Sequence, residues 1–146
     1  MPDSNTRDQD ILFEMNGFVA TVTLNRPQAK NALTYAMMER LYTIFTELKG
    51  NRDVRAVILR GAGGTFCAGG DIKQMRDTPI PSSMAAGNID AMLRAINEAS
   101  QVVITRVDGA AIGAGFGLIS VSDIAVASET AIFSLPEVRL GIAPAF

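Results

Sequence analysis

Hydrophobic residues change their period several times along this chain, and each change marks a new element. The stretch ILFEMNGFVATVTLN holds two β-rich runs on either side of Asn16-Gly17, a dipeptide that accepts the positive φ angles of a two-residue hairpin turn. An antiparallel hairpin is the expectation. Pro27 then breaks the second strand, and Thr34 can cap a helix that runs to about Lys49 and stops at Gly50. Leu33, Met37, Leu41, Ile44, Phe45 and Leu48 recur at helical spacing and define its buried stripe. RAVILRG is a short, continuous apolar run of the kind expected for a parallel strand buried on both faces.

The loop GAGGTFCAGGD follows, then a helical turn from Asp71 to about Arg76 and a weakly patterned stretch, DTPIPSSMAAG. Residues 88–99 read as a helix with Ile89, Met92, Leu93 and Ile96 on one side. QVVITRVDG is a second buried strand, AAIGAGFGLISVS a glycine-rich turn opening into a helix, and DIAVAS a third strand. Strands alternating with helices imply right-handed βαβ crossovers and an α/β fold. Residues 10–146 are expected to form one core domain, with a loose polar tail over 1–9.

Composition narrows the chemistry. Of the 146 residues 48% are hydrophobic, enough for a sizeable core. Thirteen basic against fifteen acidic residues, a net charge of −2 and no basic block give nucleic acid or anionic lipid nothing to hold. No apolar run approaches the length of a membrane span. Cys67 is the only cysteine, a pattern that fits a reducing cytoplasm and reads as a small buried hydrophobe. There is no histidine, which removes Ser-His and Cys-His nucleophile pairs and His-bearing metal sites. Proton transfer would fall to carboxylates, Lys, Tyr, Cys67 or backbone dipoles.

Two stretches share one architecture, RAVILRGAGGTFCAGGDIK and QVVITRVDGAAIGAGFGLIS: a buried strand feeds a Gly/Ala-rich loop that opens a helix. Free amides at a helix start attract a negatively charged oxygen. Neither loop is a phosphate loop. GAGGTF has Phe66 where a dinucleotide fingerprint needs its third glycine, and no Gly-Lys-Ser/Thr sequence exists. Two amides from two loops could instead converge on one oxygen, as an oxyanion hole requires. Each loop taken alone reads equally well as tight packing.

TVTLNRPQAKNALT, AVILRGAGGTFCAGGDIKQM, VDGAAIGAGFGLISVSDIAVAS and AIFSLPEVRLGIAP resemble, in order and spacing, the signature segments of the enoyl-CoA hydratase/isomerase (crotonase) superfamily. The resemblance implies a crotonase-like α/β spiral of ββα units, here its N-terminal core without the C-terminal helical region. It implies an acyl-CoA thioester substrate and an enolate held by two backbone amides, which fall on Gly70 and Ala114. Glu137 falls on the position of a family glutamate that acts as general acid or base. Ala68, Ile72 and, more loosely, Lys73 fall on the segment that receives the CoA adenine and phosphates. Coenzyme A enters as part of the substrate, with no metal or redox cofactor, and the full-length family assembles as homotrimers, often paired into hexamers.

One position departs from the pattern. The first of the two glutamates that many members use falls on Gly117. Addition of water is best served by two carboxylates, whereas moving a proton along an acyl chain needs one base. Glu137 alone therefore tilts the expected activity toward a double-bond isomerase or a hydratase with a rearranged site. The alternative is a catalytically inactive homologue that binds acyl-CoA or a partner chain. Arg26, Lys30 and Arg139 are read either as contacts to CoA phosphates or as solvated surface.

Overall fold

The computed structural model of the chain describes residues 9–79, 89–141 and 143. The tail expected over 1–9 therefore lies, Gln9 apart, outside the described residues, as does most of the weakly patterned stretch 77–88. The described chain opens with strands β1 (Ile11–Asn16) and β2 (Val19–Leu24), paired antiparallel as expected, but the turn sits one residue later than the Asn16-Gly17 dipeptide implied: Asn16 pairs with Val19, Gly17 and Phe18 form the loop, and only Gly17 takes a positive φ, 59°. A short 3₁₀ turn, Pro27–Ala29, leads to helix α1 (Tyr35–Leu48). The Thr34 hydroxyl accepts the Met37 N–H at 3.2 Å, satisfying one of the donors a helix start leaves unpaired.

Strand β3 (Ala56–Gly61), helix α2 (Ile72–Asp77), helix α3 (Ile89–Asn97) and strand β4 (Val102–Val107) follow. The chain then passes through strand β5 (Ala110–Ile112), helix α4 (Ala114–Ser120), strands β6 (Ile124–Ala127) and β7 (Ile132–Ser134), and a 3₁₀ turn, Pro136–Leu140. The main sheet has the order β1-β2-β3-β4-β6, parallel from β2 onward. A smaller sheet pairs β5 with β7 in parallel.

The helices build the core against one face of the main sheet. The six residues of the expected α1 stripe are 0% to 4% exposed, and Met92, Leu93 and Ile96 of α3 join them in one apolar cluster with Val57, Leu59, Val103 and Val107. Burying each large side chain contributes roughly 1.5–3 kcal/mol, which makes this layer the principal source of stability. The expectation that β3 is buried on both faces holds only in part. The pleat sends Val57 and Leu59 into the helical layer, and Ala56 and Ile58, on the other face, are half-buried. Strand β6, at the sheet edge, is exposed along its whole length.

Candidate active site

Loop 62–71 leaves the end of β3 and is held from two sides. On one side the Ala68 N–H donates to the Lys30 carbonyl at 3.0 Å, the Leu33 N–H to the Gly69 carbonyl at 2.8 Å, and the Asp71 N–H to the Leu33 carbonyl at 2.8 Å. On the other side the Cys67 N–H donates to the Ala110 carbonyl at 3.0 Å and the Ile112 N–H to the Cys67 carbonyl at 2.9 Å. These pairings draw the glycines up against β5 and the start of α4. Gly69, at φ +104°, adopts a backbone that side chains disfavour. A Cβ there would stand 3.1 Å from the Ile112 carbonyl oxygen and 3.8 Å from the Ala114 nitrogen.

Peptide geometry then sets where the two amides aim. In a trans peptide the C=O and the following N–H point in opposite directions, and no described peptide is cis. The Gly69 carbonyl is taken by Leu33, so the Gly70 N–H points away from Leu33. The Gly113 carbonyl accepts the Gly117 N–H at 3.0 Å inside α4, so the Ala114 N–H points out of the helix start. Among the described residues neither N–H has an acceptor. Gly70 is partly exposed and Ala114 is 7% exposed.

Glu137 arrives beside Gly113, at the start of α4, by sheet pairing. Strand β7 runs parallel to β5 with Ser134 opposite Ile112, and the Gly113 N–H donates to the Ser134 carbonyl at 2.8 Å. The chain then turns at Pro136, and the Glu137 carboxyl comes to rest against Gly113. A Cβ on Gly113 would lie 2.7 Å from Glu137 Oε1. Gly113 also sits at φ 52°, ψ −117°, so both its backbone and the carboxyl above it call for glycine. Glu137 Oε2 is buried and has no hydrogen-bond partner among the described residues. Leaving a buried polar atom unpaired costs about 1–3 kcal/mol, which marks this oxygen as a feature kept for something other than stability.

The remaining sequence candidates are placed as follows. Ala68 is half-buried in the glycine loop, Ile72 is 70% exposed and Lys73 exposed, both on the first turn of α2. Gly117 is buried inside α4. Cys67 is fully buried, with its thiol pushed up to about 12 by burial, so the reading of a small hydrophobe stands. Arg26 is neither a free phosphate contact nor solvated surface: its guanidinium pairs with Asp71 at 3.1 Å. Phe116 of α4 meets Phe133 of β7 edge to face, with ring centroids 6.3 Å apart, which braces the helix start against the strand that leads into the Glu137 turn. Sequence reasoning missed Arg26, Asn31 and Asp71 as builders of the site.

A mixed main sheet with a smaller two-stranded parallel sheet beside it and helices packed on one face is the frame of a crotonase-like fold. Residues 14–146 match the family described as enoyl-CoA hydratase/isomerase, and the chain belongs to that family. It is 37% identical over 139 residues to a short-chain-enoyl-CoA hydratase of Clostridium acetobutylicum, covering 94% of this chain and 53% of the relative. Among solved structures it is similar to an enoyl-CoA hydratase/isomerase from Marinobacter aquaeolei, at a TM-score of 0.81 and 42% identity over 92% of this chain and 55% of the other. Pseudomonas aeruginosa AtuE superposes with a TM-score of 0.82 at 42% identity, over 92% of this chain and 54% of that one. The chain thus spans about half the length of these relatives.

Proposed function

We propose that the protein acts on a CoA thioester of a short or branched unsaturated acid, holding the thioester oxygen between the Gly70 and Ala114 amides while Glu137 moves a proton. The observation that carries this reading is the buried, unpartnered Glu137 Oε2 beside the start of α4, where an amide with no acceptor already points outward. An enolate forms when a base removes a proton next to the thioester carbonyl, and its charge collects on the oxygen. Two preorganised N–H donors stabilise that charge, each worth about 3–4 kcal/mol in comparable sites.

With one carboxyl, isomerisation is the simplest complete cycle. Glu137 takes a proton from C2 of a 3-enoyl thioester, the electron pair moves onto the oxygen between the amides, and the same carboxyl returns the proton to C4. The product is the 2-enoyl thioester. No second carboxylate is available where the family pattern has one, because Gly117 occupies that position. On this reading Ala68, Ile72 and Lys73 receive the adenine and phosphate end of coenzyme A.

A second reading, binding of acyl-CoA without turnover, is favoured by the same substitution at Gly117. Incubation of the purified protein with 2-enoyl-CoA and 3-enoyl-CoA separately distinguishes the two. Conversion of the 3-enoyl to the 2-enoyl thioester, lost in Glu137→Gln, supports the isomerase. Rapid hydration of the 2-enoyl thioester refutes the one-base cycle. Binding without turnover, unaltered in Glu137→Gln, establishes the binding protein.

A further inference from the structure

The residue after Gly70 is an acid, an awkward neighbour for an amide that must hold a developing negative charge. Asp71 Oδ1 accepts the Gln74 N–H at 3.0 Å and caps α2, so this carboxyl cannot swing away. Its pKa is held below the ordinary carboxylate range, first by that backbone hydrogen bond and then by Arg26, so the charge is present at neutral pH. Arg26 answers it from residues 26–33, the segment that flanks the glycine loop opposite Ala114. Both Nη1 and Nη2 lie 3.1 Å from Asp71 Oδ2, and Nη1 also donates to the Ala32 carbonyl at 2.7 Å. The two side chains are each 18% exposed, which limits screening by water.

The same segment is fastened to the glycine loop at a second point. Asn31 is fully buried at φ 56°, a backbone region that Asn tolerates better than most residues. Its Nδ2 donates to the Ala62 carbonyl at 2.9 Å and the Thr65 carbonyl at 2.7 Å, while its Oδ1 accepts the Arg26 N–H at 2.8 Å. Arg26 is thus anchored through its backbone to one end of the loop and through its guanidinium to the other.

From this arrangement we infer that Arg26 is a positioning residue for the Gly70 amide, locking its direction through Asp71 and cancelling the Asp71 charge that would otherwise oppose an anion there. The inference rests on the proposed role of Gly70. Arg26 touches no substrate atom in this account and acts only through the loop.

The test uses the purified protein with an enoyl-CoA labelled with ¹³C at the thioester carbonyl, following the carbonyl stretch by difference infrared spectroscopy alongside turnover and thermal unfolding. In the wild type the bound carbonyl band shifts to lower frequency, reporting the pull of the two amides. In Arg26→Met the band returns toward its free position and kcat falls about tenfold or more, with KM changed far less. Adding Asp71→Asn to Arg26→Met restores part of both the shift and kcat, because the opposing charge is gone. Arg26→Lys, which keeps the charge without the fork, falls between wild type and Arg26→Met and carries the test if the Met variant does not fold. A wild-type band and kcat in Arg26→Met, or a double variant no better than the single one, overturns the inference. A wild-type protein whose bound carbonyl shows no shift overturns the reading of the site itself.

Discussion

Gly115→Ala is the substitution that most sharply separates the site from the fold. A Cβ at Gly115 would lie 2.8 Å from the Cys67 Cβ and 3.1 Å from the Cys67 carbonyl carbon, and would overlap the Cys67 carbonyl oxygen. Carbon atoms pack at about 3.5–4.0 Å, so the start of α4 must move from the glycine loop by roughly 1 Å. The obstacle is backbone pinned on one side by the Ala110 and Ile112 hydrogen bonds and on the other by those to Lys30 and Leu33, so relief comes from the helix. Overpacking of this kind costs about 1–3 kcal/mol. Alanine regains about 1 kcal/mol over glycine within a helix.

The net destabilisation is then about 0–2 kcal/mol, a fall in Tm of no more than roughly 8 °C for a chain of this size. Catalysis should suffer far more, because misplacing a reacting group by 1 Å costs on the order of 100-fold. The assay is steady-state conversion of the enoyl-CoA substrate beside a thermal unfolding curve. A variant that folds and turns over within twofold of wild type would refute the claim that spacing between the two loops matters.

Other consequences follow from single atoms. Glu137→Gln should lower kcat by about 10²–10⁴-fold while the substrate still binds, measured by turnover and by calorimetric titration. Asp71 has a folded pKa below its unfolded value of 3.8, so its cap and ion pair stabilise the fold above the unfolded pKa and stop doing so as pH falls through the folded one. The gap in urea midpoint between wild type and Asp71→Asn should be constant from neutrality down to about pH 5 and close below about pH 4. Burial and the raised pKa of Cys67 predict that a thiol reagent at pH 8 labels the native protein at least about 100-fold more slowly than the urea-unfolded chain. Equal rates would contradict the packing of Cys67 against Gly115.

Much of the frame was legible because it is local. Gly17 supplies the positive φ of its own turn, Thr34 caps its own helix, and the stripe from Leu33 to Leu48 follows from local helical spacing. Strand β5 was not legible: three residues inside a glycine-rich stretch become a strand only by pairing with β7, some twenty residues on. Arg26 and Asn31 were hidden for the same reason, since the partners that tie them to the glycine loop lie 31 to 45 residues away and a lone arginine after a strand reads as a phosphate contact or solvated surface. Glu137 stands between the two cases. Periodicity alone makes it an ordinary surface carboxylate, family resemblance singles it out, and only the β5–β7 register brings its carboxyl against Gly113.

The central claim is tested most directly by a crystal structure of the protein with a bound, non-reacting acyl-CoA. The thioester oxygen should lie within about 2.7–3.1 Å of both the Gly70 and Ala114 nitrogens, with C2 or C4 of the acyl chain facing the Glu137 carboxyl. A thioester oxygen bound elsewhere, or touching only one of the two nitrogens, would contradict it.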